Sequence, residues 1–411
     1  MKKIICIFLS LTLMLCCMPT TYAYDPRTLK IDGKDILAGE TVDGVTFSEN
    51  VLTLDNVTVS SDERYGIYIK GFDELTINLV GRNNIHTTGE FDIFIHENHL
   101  TFAGDGKLYT SRIDVTNSAI NLTDDVELNV FPEKDDDGVC GIYYNDDSSC
   151  YGALHLFDNA KIITSHLIYV YYELALSGNS SIEYDNLDVD HYLPERNIFP
   201  GIVTARNIVM SGNSKMNIKS TNDCVSVKGH FAITDNATLD AYSLSGAGIC
   251  AGYSASGMSY RIFGSDFSAS GNAVVNADGH KAGIFLTGSK NAGNFSLKDK
   301  ASVTATGRSG NASGLIANKV TISGGELNLI HEHRSPLKIY SADEPSLIID
   351  GIVTEISHEN YGFQKLTSSN SYYTMVDITE NGRDWIRDFH ISVASSLAAG
   401  EGVSVTETEL K

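Results

Sequence analysis

An apolar residue, two small or polar residues, an Asx, two further residues and a second apolar residue recur along this chain. The phrase reads FAGDGKL (102–108), LTDDVEL (122–128), LFDNAKI (156–162), LSGNSSI (176–182), MSGNSKM (210–216), ITDNATL (233–239) and ASGNAVV (269–275). Its fourth position is Asp105, Asp125, Asn159, Asn179, Asn213, Asn236 and Asn272, with weaker echoes at Arg82, Lys300 and Gly325. Successive fourth positions from Arg82 onward lie 20 to 36 residues apart. Units of that length cannot bury an apolar face alone and must stack on their neighbours, so the chain is read as a solenoid.

Each unit carries a second segment upstream of the phrase, as in GIYIKG (66–71), DIFIHE (92–97), LIYVYY (167–172) and CVSVKG (224–229). Strict alternation puts Ile67 with Ile69, Ile93 with Ile95, Ile168 with Val170 and Val225 with Val227 on one face. A third apolar cluster of the LTIN type stands between the two. Nothing in the unit has the three-to-four spacing of an amphipathic helix. The expected fold is all-β, a single-stranded right-handed parallel β-helix with about three short strands per coil. Recurrence of one phrase at one point of the unit argues against an antiparallel sandwich.

The Asx row is read as the corner of each coil. A short amide or carboxylate side chain accepts from local N–H groups at a sharp turn, and stacked amides can bond along the axis if they satisfy one another. Residues 1–23, with Lys2 and Lys3 ahead of a short apolar run, have the form of a secretory signal peptide. A cap is expected over 24–50, the β-helix over 51–350, and a degraded last coil, C-terminal cap or tail over 351–411. No second long apolar run follows the leader, which speaks against membrane insertion.

Removing Lys2 and Lys3 with the leader deepens the net charge from −22 to −24. Such a balance repels nucleic acid and suits a solvated extracellular monomer with some capacity for cations. Four cysteines remain, too few for a disulfide-built scaffold; Cys140 and Cys150 are close enough in sequence to close a short loop in an oxidising compartment.

Chemistry on a solenoid is expected on outward strand positions and in corner insertions. With Ile67 and Ile69 inward, the outward row runs through Tyr68, Phe94, Asp114, Tyr143 and Tyr169, then Val203, Ser226, Cys250 and Phe285, with Tyr171 also outward. Tyr68, Phe94, Tyr143, Tyr169 and Tyr171 are the candidate carbohydrate contacts, because flat apolar faces on a polar wall suit sugar rings; the same rings also stabilise one another as ordinary strand ladders. Insertions at 132–139, 185–200, 254–261 and 288–293 fall at corners. Asp185, Asp188, Asp190 and Glu195 form the candidate calcium set, although the spacing of a calcium loop is absent. No catalytic residue is assigned, because no pair of carboxylates or base is singled out by spacing.

The phrases GIYIKG, DELTINLVGRNNI and SGNSSI, behind LTLDNVTV and the leader, resemble the secreted bacterial β-helical carbohydrate-binding domain proteins, which are related in fold to polysaccharide lyases. The resemblance covers roughly residues 45–350. It implies export, a parallel β-helix, calcium dependence and binding to plant or cell-surface polysaccharide, and no catalytic motif of the group carries over. The expected function is therefore non-catalytic polysaccharide binding. A surface adhesin or structural solenoid with a cell-surface protein partner is the second reading, and a polysaccharide lyase or glycoside hydrolase the third.

Overall fold

The computed structural model describes residues 27–131, 141–144, 152–186, 201–251, 265–286, 293–310, 312–331, 336–341, 346–356, 361–366, 374–380, 384–385 and 388–394. The described residues hold strands and turns and no helix. Three sheets of 16, 13 and 13 strands run the length of the molecule, and each coil contributes one strand to each in turn. One such coil is 201–205, 207–210 and 215–220, and the next is 223–227, 230–233 and 238–243. Each strand pairs in parallel with its counterparts in the coils before and after, so the chain is a parallel β-helix.

Alternation decides which side chains enter the core. In Lys215–Ser220 the pattern is strictly exposed then buried, with Met216 and Ile218 inside and Lys215, Asn217 and Lys219 outside. On the first sheet one inward ladder stays in register through Ile67, Ile93, Ile113, Ile142, Ile168, Val203, Val225, Ile249, Ile284, Leu315 and Leu337. Each is 1% exposed or less. Burial of such a side chain is worth roughly 1.5–3 kcal/mol, so the ladder is the main local source of stability.

Core volume is balanced coil by coil. On the second sheet Phe231, Phe267 and Phe295 follow one another, with ring centroids 5.5 Å and 5.4 Å apart. The same three coils carry Ala241, Ala277 and Ala305 on the third sheet. The preceding coil has Ile208 and Ile218, and the following one Val320 and Leu329, at the matching positions. A large ring on one wall is offset by a methyl on another wall of the same coil, the large-with-small balance that a close-packed interior requires.

The repeated phrase forms the corner between the second and third sheets. Its third position is the left-handed one: Asp124, Asp158, Asp235 and Asp299 have φ of 58°, 52°, 59° and 60°. Gly178 and Gly212 stand there with φ of 67° and 65°, and a Cβ on Gly212 would come 2.9 Å from the Gly178 backbone. This explains why the position alternates between glycine and aspartate. The aspartates reach back one coil: Asp124 Oδ2 accepts from the Gly104 amide at 3.0 Å and Asp235 Oδ2 from the Gly212 amide at 2.9 Å. Asp158 accepts from the Thr123 hydroxyl at 2.6 Å, and that bond, with a second from the Asp124 amide, holds its carboxyl below the usual range.

The fourth position is a side-chain ladder on the exposed corner rather than along the interior axis. Asn159 Nδ2 donates to Asp125, Asn179 to Asn159, Asn213 to Asn179, Asn236 to Asn213 and Asn272 to Asn236, at 2.8, 2.9, 3.0, 3.1 and 3.0 Å. Asp105 stands at the same corner, where the Gly106 amide bonds the Leu79 carbonyl at 3.0 Å.

Antiparallel strands close the stack. Thr28–Ile31 pairs with Tyr65–Lys70, and Val45–Ser48 with Val51–Asp55, at the first coils. At the far end Thr374–Glu380 pairs with Leu337–Ser341, and Asp388–Ala394 with Gly325–His331. Reversing direction leaves no continuation for another parallel coil on those edges. Ser346–Ile349 continues the second sheet in parallel, and beyond it Ile352–Ile356 pairs antiparallel with Asp388–Ala394.

Candidate functional site on the outer wall of the third sheet

The outward row expected on the first sheet is present in register from Tyr68 through Phe94, Asp114 and Tyr143 to Tyr169. The next member is Thr204, not Val203, because Ile168 pairs with Val203 and Val203 belongs to the core ladder. Ser226, Cys250 and Phe285 then follow. Of the aromatics in this row Tyr68 and Phe94, and at its far end Phe285, are half-open to solvent; Tyr143 is 8% exposed and Tyr169 4%, and Asp114 between the pairs is also buried. Tyr171 lies beyond the two-residue strand Ile168–Tyr169, in a bend, half-buried against the core. The five expected contacts therefore do not form one exposed platform.

What survives is a compact aromatic stack at the first coils. Tyr65, Tyr68, Phe91 and Phe94 pack with centroids 5.0–6.1 Å apart and planes within 33° of parallel. Tyr65 and Phe91 occupy the first position of their strands, where a reading confined to Ile-flanked alternation misses them. Arg64 lies over Tyr65 at 5.1 Å and Arg112 over Phe91 at 4.2 Å. Partial burial pushes the Tyr65 hydroxyl up, with Arg64 pulling the other way. Rings stacked on one another and overlain by guanidinium groups have much of their face area already occupied, which favours the ladder reading of this cluster.

The polar wall open to solvent is the third sheet. Glu183, Asn217 and Asp240 are exposed and stand opposite one another on consecutive strands. Beside them Ser181, Lys215 and Thr238 form a second row. With Asn179 and Asn213 of the amide ladder at the rim, these side chains line a groove of about 430 Å³ whose floor includes the buried Ile182 and Met216. That volume falls within the range of small-molecule sites. The strands set a repeat of about 4.8 Å, so amides, carboxylates, hydroxyls and an amine are presented in fixed rows. Lys161 Nζ pairs with Glu183 at 2.8 Å, and Asn276 Nδ2 donates to Asp240 Oδ1 at 2.7 Å.

The sequence signal for this groove was the alternation already used to place the core. The exposed partners of Ile182, Met216 and Leu239 were legible as outward, and only the choice of the first strand as the chemical face hid them.

Among the candidate calcium ligands, Asp188, Asp190 and Glu195 lie outside the described residues. Asp185 is exposed and paired with Lys219 Nζ at 3.1 Å. Among the described residues no group of three or more His, Cys, Asp or Glu side chains converges. Cys140 and Cys150 also lie outside the described residues. Cys224 and Cys250 are buried, share no disulfide with each other and stand at different strand positions, since Ser226 is the partner of Cys250. No described helix is long and apolar enough to cross a membrane. No protein-family model matches this chain, and no curated protein or solved structure does so either.

Proposed function

We propose that this is a secreted, non-catalytic polysaccharide-binding protein that lays a glycan against the outer wall of the third sheet. The groove over Ile182 and Met216 carries the reading. Its lining of Asn179, Ser181, Glu183, Lys215, Asn217, Thr238 and Asp240 offers both donors and acceptors to hydroxyl groups without a charge of one sign dominating. A rigid sheet holds these groups in place, so little ordering opposes binding. Glu183 and Asp240 are solvent-exposed and engaged by an ammonium and an amide, so both are already oriented as hydrogen-bonding groups on the wall. Calcium belongs to this reading through the acidic insertion that begins at Asp185, where an arriving cation competes with Lys219.

Retention on insoluble glucans, xylans and pectins, with and without chelator, tests the proposal. Wild type should be retained on at least one glycan, and Asn217→Ala with Asp240→Ala should release it. Equal passage of wild type through every matrix would sink the reading. Loss of retention in chelator alone would place calcium in the site. A protein partner is the second reading, favoured by the Tyr and Arg content of the stack at Tyr65 and Phe91; its variants, Tyr68→Ala and Phe94→Ala, should leave glycan retention unchanged.

A further inference from the structure

The corner ladder uses only half the bonding capacity of the amides at the rim of the groove. A primary amide carries two N–H donors and two acceptor lone pairs. Asn179 gives one N–H to Asn159 Oδ1 at 2.9 Å and takes one bond from Asn213 Nδ2 at 3.0 Å. Asn213 in turn takes one bond from Asn236 Nδ2 at 3.1 Å. Among the described residues no further side-chain bond reaches either amide, so each keeps one N–H and one lone pair for a ligand in the groove that both line. Four residues on from each, at the other side of the same groove, stands an exposed acceptor: Glu183 beyond Asn179 and Asn217 beyond Asn213. Glu183 and Asn217 are in register on neighbouring strands, so the donor-and-acceptor pair repeats from one coil to the next.

We infer that the groove selects N-acetylated glycans by reading their acetamido groups, with the C=O taken by the spare N–H of Asn179 or Asn213 and the N–H by Glu183 or Asn217; this rests on the glycan-binding reading. An acetamido group is a planar trans amide, whose N–H and C=O point in opposite directions. It is satisfied by a donor and an acceptor on opposite sides of it, and each of these two coils supplies that pair across the groove. A hydroxyl group donates and accepts at one atom, so it meets one side of the pair and leaves the other to water. The ladder fixes Asn179 and Asn213 from both coil neighbours, and Lys161 holds Glu183 at 2.8 Å, so the reading groups are ordered before the ligand arrives.

The test is calorimetric titration of the full chain with chitohexaose and cellohexaose, which share one backbone and differ in carrying an acetamido or a hydroxyl group at the second carbon of each sugar. Wild type should bind chitohexaose about fivefold or more tightly than cellohexaose, each engaged acetamido contributing roughly two- to tenfold. Asn179→Asp and Asn213→Asp remove the spare N–H and should each lower that ratio roughly two- to tenfold, and Asn217→Leu, which stands off the ladder, should do the same. Asn272→Asp breaks the same ladder outside the groove and should leave the ratio unchanged. Because the ratio compares two ligands on one protein, a general loss of stability cancels from it, and thermal midpoints identify any variant that folds poorly. Retention on insoluble chitin or on purified peptidoglycan should exceed retention on cellulose, and whichever holds the protein better names the source of the acetamido group. Equal affinity for the two hexaoses, or a ratio that survives all three groove substitutions, would overturn the acetamido assignment and leave the groove as a general glycan site. If wild type binds neither hexaose and is retained on no glycan matrix, the glycan reading falls with it.

Discussion

Replacing Phe267 by alanine tests whether the coils are balanced in volume across the core. Phe267 is 1% exposed and sits between Phe231 and Phe295 at 5.5 and 5.4 Å, so neither neighbour can close on the space without losing its own contact. A Phe→Ala change in such a site costs about 3–5 kcal/mol, and the two ring contacts place this one toward the upper end. Ala277, in the same coil on the third sheet, is 2% exposed. Ala277→Leu alone overpacks the coil and should cost about 1–3 kcal/mol. Combined, the two changes return the coil near its original volume, and the pair should be less destabilising than the sum by at least about 1 kcal/mol. Ala305→Leu, one coil on, should recover less. Equilibrium urea unfolding of the set measures this, with the slope monitored because a solenoid can lose coils separately. Additivity within about 0.5 kcal/mol for Phe267 with Ala277 would refute the coil-by-coil account.

Three other outcomes are expected. Asn213→Asp keeps an acceptor for Asn236 but removes the donor to Asn179, and should destabilise by about 0.5–1.5 kcal/mol in urea, with Asn213→Ala no milder. Asp223 is 5% exposed, and its burial raises its carboxyl above the usual value against the pull of the Ala247 amide, Lys281 and Cys250. The folded state therefore binds a proton more tightly than the unfolded one, and stability from this group is lost as pH rises through the window just above the ordinary carboxylate value of about 4. Asp223→Asn should flatten that slope in unfolding curves taken at successive pH values; an unchanged slope would remove Asp223 as its source. Arg112→Ala uncovers the Phe91 ring and should cost about 0.5–1 kcal/mol without affecting glycan retention.

The fold was legible because its determinants are local and repeated. Ile67, Ile93 and Val225 announce their faces by alternation, and the Asx phrase marks the same corner each time. The first position of the strand was harder to read: Tyr65 and Phe91 fall outside the alternating pair, yet they build the aromatic stack. Register across an insertion was harder still. The step from Ile168 to Val203 spans the acidic loop, and a shift of one residue there moves Val203 to the core and Thr204 to the outside. Burial of the outer face was not legible at all, since outward direction says nothing of what else covers Tyr143 and Tyr169. The groove was missed for a different reason: polar residues on a solvent face look ordinary one strand at a time, and only the stacking of Glu183, Asn217 and Asp240 makes them a surface.

The amide row at the corner has a direction. Every Nδ2 points to the Oδ1 of the coil before it, so the side-chain dipoles add head to tail from Asn272 back to Asn159, and each bond polarises the next. The donor end of the row meets Asp125, a carboxylate, and the next corner position beyond its acceptor end is Lys300, whose amide bonds the Gly271 carbonyl at 2.8 Å. A negative group at the positive end and a positive group toward the negative end is the arrangement that stabilises an α-helix through its termini. This solenoid, which has no helix among its described residues, carries the same electrostatic logic in a column of side chains.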